Sequence, residues 1–193
     1  MTHGSKSIAI SLLETAETNL LFSFLKVRPD DVYKQAHPEF NSIMWILGHC
    51  FAHFHMVLCS TCQQDDMISD GVSQYFRYGT TKEEISATAA PLTFEDLIDE
   101  YLKISESSFS YLQTLNDEDF GKIIFPDLDE TLLQSIQRIA LHYTGHMGQI
   151  VLLRRALGNP GPTFVGGIHE PGRQKMKQEW KNWWSKSKSD FKI

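Results

Sequence analysis

Two imidazoles, His142 and His146, stand four residues apart in the stretch Leu141-His142-Tyr143-Thr144-Gly145-His146-Met147-Gly148-Gln149. The stretch reads as helix. At about 100° per residue the two rings lie about 40° apart on one face, one turn above the other. That spacing lets a single helix offer two nitrogen ligands to one metal ion. Gln149 returns to the same face seven residues after His142. Two nitrogens are only part of a site, so the sequence must be searched for a third ligand.

The most apolar run, Ile43 to Cys59, carries His49, His53 and His55. On a helix His49 and His53 share a face, as do Trp45 and Met56. His55 points roughly the other way, to a surface or packing position. Both histidine-bearing segments are strongly apolar and should face a core, where imidazoles from each could converge. Every ring nitrogen of a buried histidine needs a partner, so several histidines on two inward faces are costly as mere packing. Residues 41–62 contain no Asp or Glu, and neither do residues 131–158. Carboxylate-bridged di-iron bundles need inward carboxylates with Glu-x-x-His pairs on their helices. An all-imidazole mononuclear site fits better. Three neutral imidazoles suit Zn²⁺, Ni²⁺ or Fe²⁺ and leave a position open for water.

The elements that must position these residues are helices. The first expected helix runs from about Ser5, taken as its N-cap, to Val27, with Pro29 stopping it. Ile8, Leu12, Ala16, Leu20 and Phe24 keep the helical period on its buried face. A second runs from Asn41, another cap candidate, to about Thr61. The third begins at Thr93, where Thr93 and Asp96 form a capping-box pattern, and continues through Leu97, Tyr101, Ile104, Phe109 and Leu112. The fourth starts at about Asp129 or Thr131 and ends at Leu157, with Gly158 in the C′ position and Pro160 beyond. A connection of about 30 residues, Gln63 to Leu92, separates the second and third helices. Connections of that length are often functional, and a short helix is expected around Asp70–Phe76. The Gly/Pro-rich segment Gly158–Gly172 precedes a short last helix with Trp180, Trp183 and Trp184. No strands are expected. The predicted fold is all-α: a four-helix bundle over residues 1–158, with residues 159–193 packed on it as part of the same domain.

Composition agrees with a globular chain. Of 193 residues, 41% are apolar and 22% charged, and the net charge of −6 gives no general basic field for nucleic acid. Residues 171–193 nevertheless carry a net +5, which leaves −11 on the rest. No apolar run is long and unbroken enough to predict a membrane span, and Glu14 and Glu17 interrupt what would be a signal peptide. Three cysteines, an odd count, argue against a disulfide framework and for a reducing cytoplasm.

The segment Ala140-Leu141-His142 … His146-Met147-Gly148-Gln149-Ile150 … Leu153-Arg154-Arg155-Ala156-Leu157-Gly158 resembles the last bundle helix of the DinB-like (DinB/YfiT) superfamily. Ile43-Met44-Trp45-Ile46-Leu47-Gly48-His49 is similar to that family's second helix, and the likeness spans most of residues 5–158. In that family three histidines, one on the second helix and two on the last, hold a divalent metal. The resemblance implies His49, His142 and His146 here, with His53 the rival to His49 or its neighbour one turn below. It also implies two activities: metal-dependent hydrolysis, or S-transfer and isomerisation with low-molecular-weight thiols. A homodimer is a further implication.

A metal held by three neutral ligands keeps its positive charge, and either lowers the pKa of bound water or binds a thiolate. Tyr143 follows His142, so the sequence is not His-Glu-x-x-His and no general base rides on that helix. Glu14, Glu17 or acids of the 63–92 connection are the remaining candidates, with solvent-facing positions the plainer expectation for each. The expected function is therefore a metal-dependent transferase or hydrolase acting on a small molecule, with thiol transfer ahead. A non-catalytic metal-binding stress protein is the alternative. Gln149 is expected either to bond a ligand histidine or substrate, or to pack between helices. Cys59-Ser60-Thr61-Cys62 falls at a helix C-terminus, where the dipole disfavours a thiolate, and a redox role is not expected. Arg154 and Arg155 either stabilise exposed carbonyls in the last turn or reach an anionic substrate.

Overall fold

The computed structural model describes residues 4–65, 70–77, 79, 92–162 and 165–192. The protein is mostly helical. Helix α1 spans Ser5–Ser23, α2 Ile43–His55, α3 Asp70–Tyr75, α4 Phe94–Thr114, α5 Leu132–Ala156 and α6 Glu170–Ser187. Wider π-type winding carries α2 on through Met56–Thr61. The only strands among the described residues are β1, Ile123–Phe125, and β2, Glu130–Thr131, which pair antiparallel just before α5.

Several ends differ from expectation. Gly4, not Ser5, caps α1, with no side-chain cap. The free N–H of Lys6 is instead satisfied from a distance, by Asp117 Oδ1 at 2.8 Å, so tertiary contact does the work of a local cap. Ser23 ends the helix before Val27, and Lys26 turns the chain with φ 59°. Ile8 and Leu12 are 55% and 40% exposed, while Ala9 and Leu13 join Ala16, Leu20 and Phe24 in the core. Both sets keep helical spacing, so the period admitted either, and packing against α5 and α6 selects the second. Ser42 rather than Asn41 caps α2, its Oγ accepting from Trp45 N at 3.2 Å.

Other boundaries follow the local chemistry. Thr93 and Asp96 close a capping box on α4, and Thr131 and Gln134 close one on α5. Gly158, at φ 73°, ends α5 in the left-handed region that a residue without Cβ adopts cheaply. The β1–β2 pair was not expected because strands of two or three residues are too short to show an alternating pattern.

The core lies between α1, α2, α4 and α5, with Leu13, Leu20, Phe51, Phe54, Tyr101 and Ile139 among its buried members. The Ile43–Thr61 stretch is long and apolar enough, by composition alone, to cross a membrane, yet 78% of that window is buried inside the chain's own core. Helix α6 docks on α1 and α4 through buried Trp180 and Trp184. Trp184 Nε1 donates to Asp99 at 3.1 Å, Lys188 pairs with Asp99 at 2.7 Å, and Arg173 pairs with Glu14 at 3.1 Å.

Candidate metal centre

Helices α2 and α5 pack face to face and bring three imidazoles to one point. His142 Nε2 lies 3.1 Å from His49 Nε2 and 3.0 Å from His146 Nε2, and the three ligand atoms lie within 4.8 Å of one another. Nitrogens bound tetrahedrally at about 2.0–2.1 Å from one zinc would be about 3.4 Å apart, so the cluster has the right scale. His49 is buried, and His142 and His146 are half-buried, which puts the cluster at the edge of the core.

The other ring nitrogens decide what the cluster can accept. His49 Nδ1 donates to the Phe76 carbonyl at 2.9 Å, and His146 Nδ1 donates to Gln149 Oε1 at 2.8 Å. Each of those rings therefore turns an Nε2 lone pair toward His142. A proton on His142 Nε2 can bridge to only one of them, whereas a shared cation serves all three. This donor set fits a divalent metal. Burial lowers the pKa of all three: His49 and His146 are lowered against the opposing effect of their hydrogen bonds, and His142, also surrounded by His53, His146 and His49, to about 3. All three are neutral, and so able to ligate, at neutral pH.

Local structure sets each ring. Trp45, one turn before His49, stacks on it with centroids 4.8 Å apart and planes 11° from parallel. A Cβ on Gly48 would fall 2.3 Å from the Phe76 ring, so this glycine lets Phe76 approach and present its carbonyl to His49. On α5, Arg138, His142, His146 and Gln149 form one stripe along the helix.

His53 takes a different part. Its Nε2 faces the Arg138 guanidinium, an obligate donor, so its lone pair is turned away from the triad. Arg138 Nε in turn pairs with Glu130 at 2.9 Å. Burial, reinforced by Arg138, lowers the His53 pKa to about 4. The ring packs against His142 with centroids 4.5 Å apart. Among the described residues, the group able to hold a metal consists of His49, His142 and His146.

Gln149 bonds a histidine of the triad rather than packing between helices. His55 is buried, a packing position. Glu14 is partly exposed, whereas Glu17 does not face solvent as expected. Glu14 is ion-paired with Arg173, and Glu17 is buried in the core, its Oε1 accepting from Tyr101 Oη at 3.1 Å and from Ser105 Oγ. Tyr101 Oη also lies 3.1 Å from Tyr143 Oη, so the residue beside His142 belongs to a buried polar network. Neither glutamate is a member of the metal-binding group. Most of the 63–92 connection, with Asp66, Glu83 and Glu84, lies outside the described residues. Arg154 is no substrate anchor: it is buried and donates to the carbonyls of Ser23, Leu25 and Asn159. Cys59 and Cys62 are free, and burial pushes both thiols up, Cys62 to about 11.

The sequence search missed the Phe76 carbonyl and Arg138. A backbone acceptor has no sequence signature. Arg138, one turn before His142, could have been found by extending the stripe backwards.

A family model described as the DinB superfamily matches residues 12–150. The chain belongs to the DinB superfamily. The matched span includes α2 and the part of α5 that carries both histidines. No curated protein and no solved structure matches the chain. Membership of a metal-binding family and the convergent imidazoles agree that the protein could hold a metal ion.

Proposed function

We propose that this DinB-superfamily protein is a divalent-metal-dependent enzyme with His49, His142 and His146 as its metal ligands. Its four long helices form the bundle that holds the site, and its reaction is thiol-dependent S-transfer rather than hydrolysis. The observation that carries the reading is the convergence of three neutral Nε2 atoms with no carboxylate in the group. When bound, a metal (Zn²⁺, Ni²⁺ or Fe²⁺) supplies a positive centre able to hold a thiolate or acidify water.

The protein's own groups favour the thiolate. Hydrolysis needs a base within reach of the attacking water. Tyr143, in the zincin glutamate position, turns its hydroxyl into the core toward Tyr101. Glu130 is already engaged by Arg138. A thiolate nucleophile needs no base once formed. Phe76 and Gln149 hold the His49 and His146 rings, and Arg138 keeps His53 from competing for the site. The substrate is a small molecule used with a low-molecular-weight thiol. Three free cysteines suit a reducing cytoplasm. Leu141 and Leu152, exposed on α5, support a homodimer.

Metal analysis of protein purified without an affinity tag tests the site. About one divalent ion per chain is expected, and less than about 0.2, with no uptake on titration, overturns it. His49→Ala and His142→Ala should lose the ion, and His53→Ala should keep it. Turnover on a panel of thiols and electrophiles, abolished by chelation and by His142→Ala, tests the reaction. A metal-loaded protein with no turnover would leave a non-catalytic metal-binding protein.

A further inference from the structure

Helix α2 carries a pair of histidines, His49 and His53, with the same four-residue spacing as His142 and His146 on α5. By spacing alone, two such pairs on facing helices would make a site of four imidazoles. Four protein ligands close a tetrahedral metal site, whereas three leave the position at which a catalytic metal takes water or substrate. The fourth ring is close at hand, because His53 packs against His142 with centroids 4.5 Å apart. What excludes His53 from the group therefore decides which kind of site this is.

The contacts of His53 supply the reason. Its Nε2 accepts from Arg138 Nη1, and this is the ring's one hydrogen bond among the described residues. A guanidinium carries donors and no acceptor and does not release its proton in a protein. The Nε2 lone pair is therefore occupied, and the neutral ring carries its proton on Nδ1, so neither nitrogen is free to ligate. Arg138 is itself held on two sides by the β1–β2 pair. Phe125 and Glu130 are cross-strand partners in that pair. The guanidinium lies over the Phe125 ring, 5.5 Å from its centroid, and its Nε donates to Glu130 Oε1 at 2.9 Å. Buried Ser135, in the first turn of α5, donates to the same oxygen at 2.7 Å and ties the strand pair to the helix. The shortest elements of the fold thus hold the residue that holds His53.

We propose that the β1–β2 pair and Arg138 form a lock that keeps His53 off the metal, so that the site has three protein ligands and one open position. The inference rests on the metal site argued above and adds what sets its coordination number. Arg138 and Glu130 are positioning residues, since they act through His53 and not on the metal. Without the Arg138 donor, the strongest partner left for the His53 lone pair is the shared cation, and the site closes.

Azide binding to the Co²⁺-loaded protein, read from its visible ligand-field spectrum, tests the open position without turnover or thiol chemistry. The parent should take one azide per metal. Arg138→Leu should weaken azide by about tenfold or more and hold Co²⁺ about tenfold more tightly against a chelating dye, as a fourth imidazole requires. His53→Ala should bind azide as the parent does. The double variant Arg138→Leu/His53→Ala should recover azide affinity to within about threefold of the parent, which separates the lock from direct attraction between the guanidinium and the anion. The Arg138 side chain is 37% exposed, so leucine should be tolerated there. Glu130→Gln, which removes the ion pair that holds Arg138, should weaken azide by about threefold and carries the test if Arg138→Leu does not fold. Unchanged azide affinity in these variants, no recovery in the double variant, or a parent that binds Co²⁺ but no azide would each overturn the lock. A parent that takes up no Co²⁺ would overturn the metal site itself, and the lock with it.

Discussion

Glu17 is the residue whose chemistry depends most on its surroundings. Desolvation by burial raises its pKa above the ordinary 4.5, outweighing the opposing hydrogen bonds and Lys177. Above that ordinary value the unfolded chain releases a proton that the folded chain keeps, so stability is lost as pH rises through the folded value. Glutamine carries no charge and keeps the acceptor that Tyr101 and Ser105 use. Glu17→Gln should therefore raise the melting temperature at pH 8, with the gain shrinking toward pH 4. Thermal melts at both pH values check this, and an unchanged or lower value at pH 8 would refute it. The histidines behave in the opposite sense. Their lowered pKa values keep them neutral and ready as ligands, as their apolar neighbours in the sequence suggested. Nothing in the sequence around Glu17 marked it as buried, because a lone glutamate in an amphipathic helix belongs on the outside by default.

At the scale of elements, the centre depends on two helices and the short turn that braces them. Helix α5 supplies two rings from one stripe, and the capping box at Thr131 and the left-handed Gly158 bound it where sequence chemistry predicts. Helix α2 supplies the third ring, but its aim depends on α3. Gly48 lets Phe76, just past α3, pack closely enough for its carbonyl to take the His49 Nδ1 proton. Gly48→Ala should push the Phe76 ring away, at about 1–3 kcal/mol of stability. It should also weaken metal binding by about 10–100-fold, the usual loss when a ligand histidine's support is removed. A competition titration with a chelating dye measures the second effect, and unchanged affinity would show that Phe76 does not orient His49. The β1–β2 pair and the tertiary cap on α1 show where local patterns run out. One is too short for periodicity, and the other depends on Asp117, more than a hundred residues away.

At the scale of the whole molecule, the basic C-terminal helix is part of the folded body. Trp184 is buried against Phe94 and Phe191, and its indole N–H donates to Asp99. Trp184→Ala should cost about 3–5 kcal/mol, the range for large aromatic truncations in a core. Chemical denaturation measures it, and a loss below about 1 kcal/mol would mean that α6 contributes little to stability. The same docking places the positive charge of residues 171–193 against the acidic remainder, through Glu14, Glu95 and Asp99. Composition showed the charge asymmetry but not that the two parts form ion pairs with each other.

The sequence by itself determined the helical architecture, the capping box at Thr93, the end of α5 and the His142–His146 pair, because these depend on spacing within about ten residues. Only the tertiary structure decided which face of α1 is inside, why His49 rather than His53 joins the pair, and that Glu17 lies in the core. Each of those depends on a group distant in the chain: Phe76 behind His49, Arg138 against His53, and Tyr101 and Ser105 around Glu17. Local periodicity fixes which residues share a face, but packing between helices sets which atoms face one another.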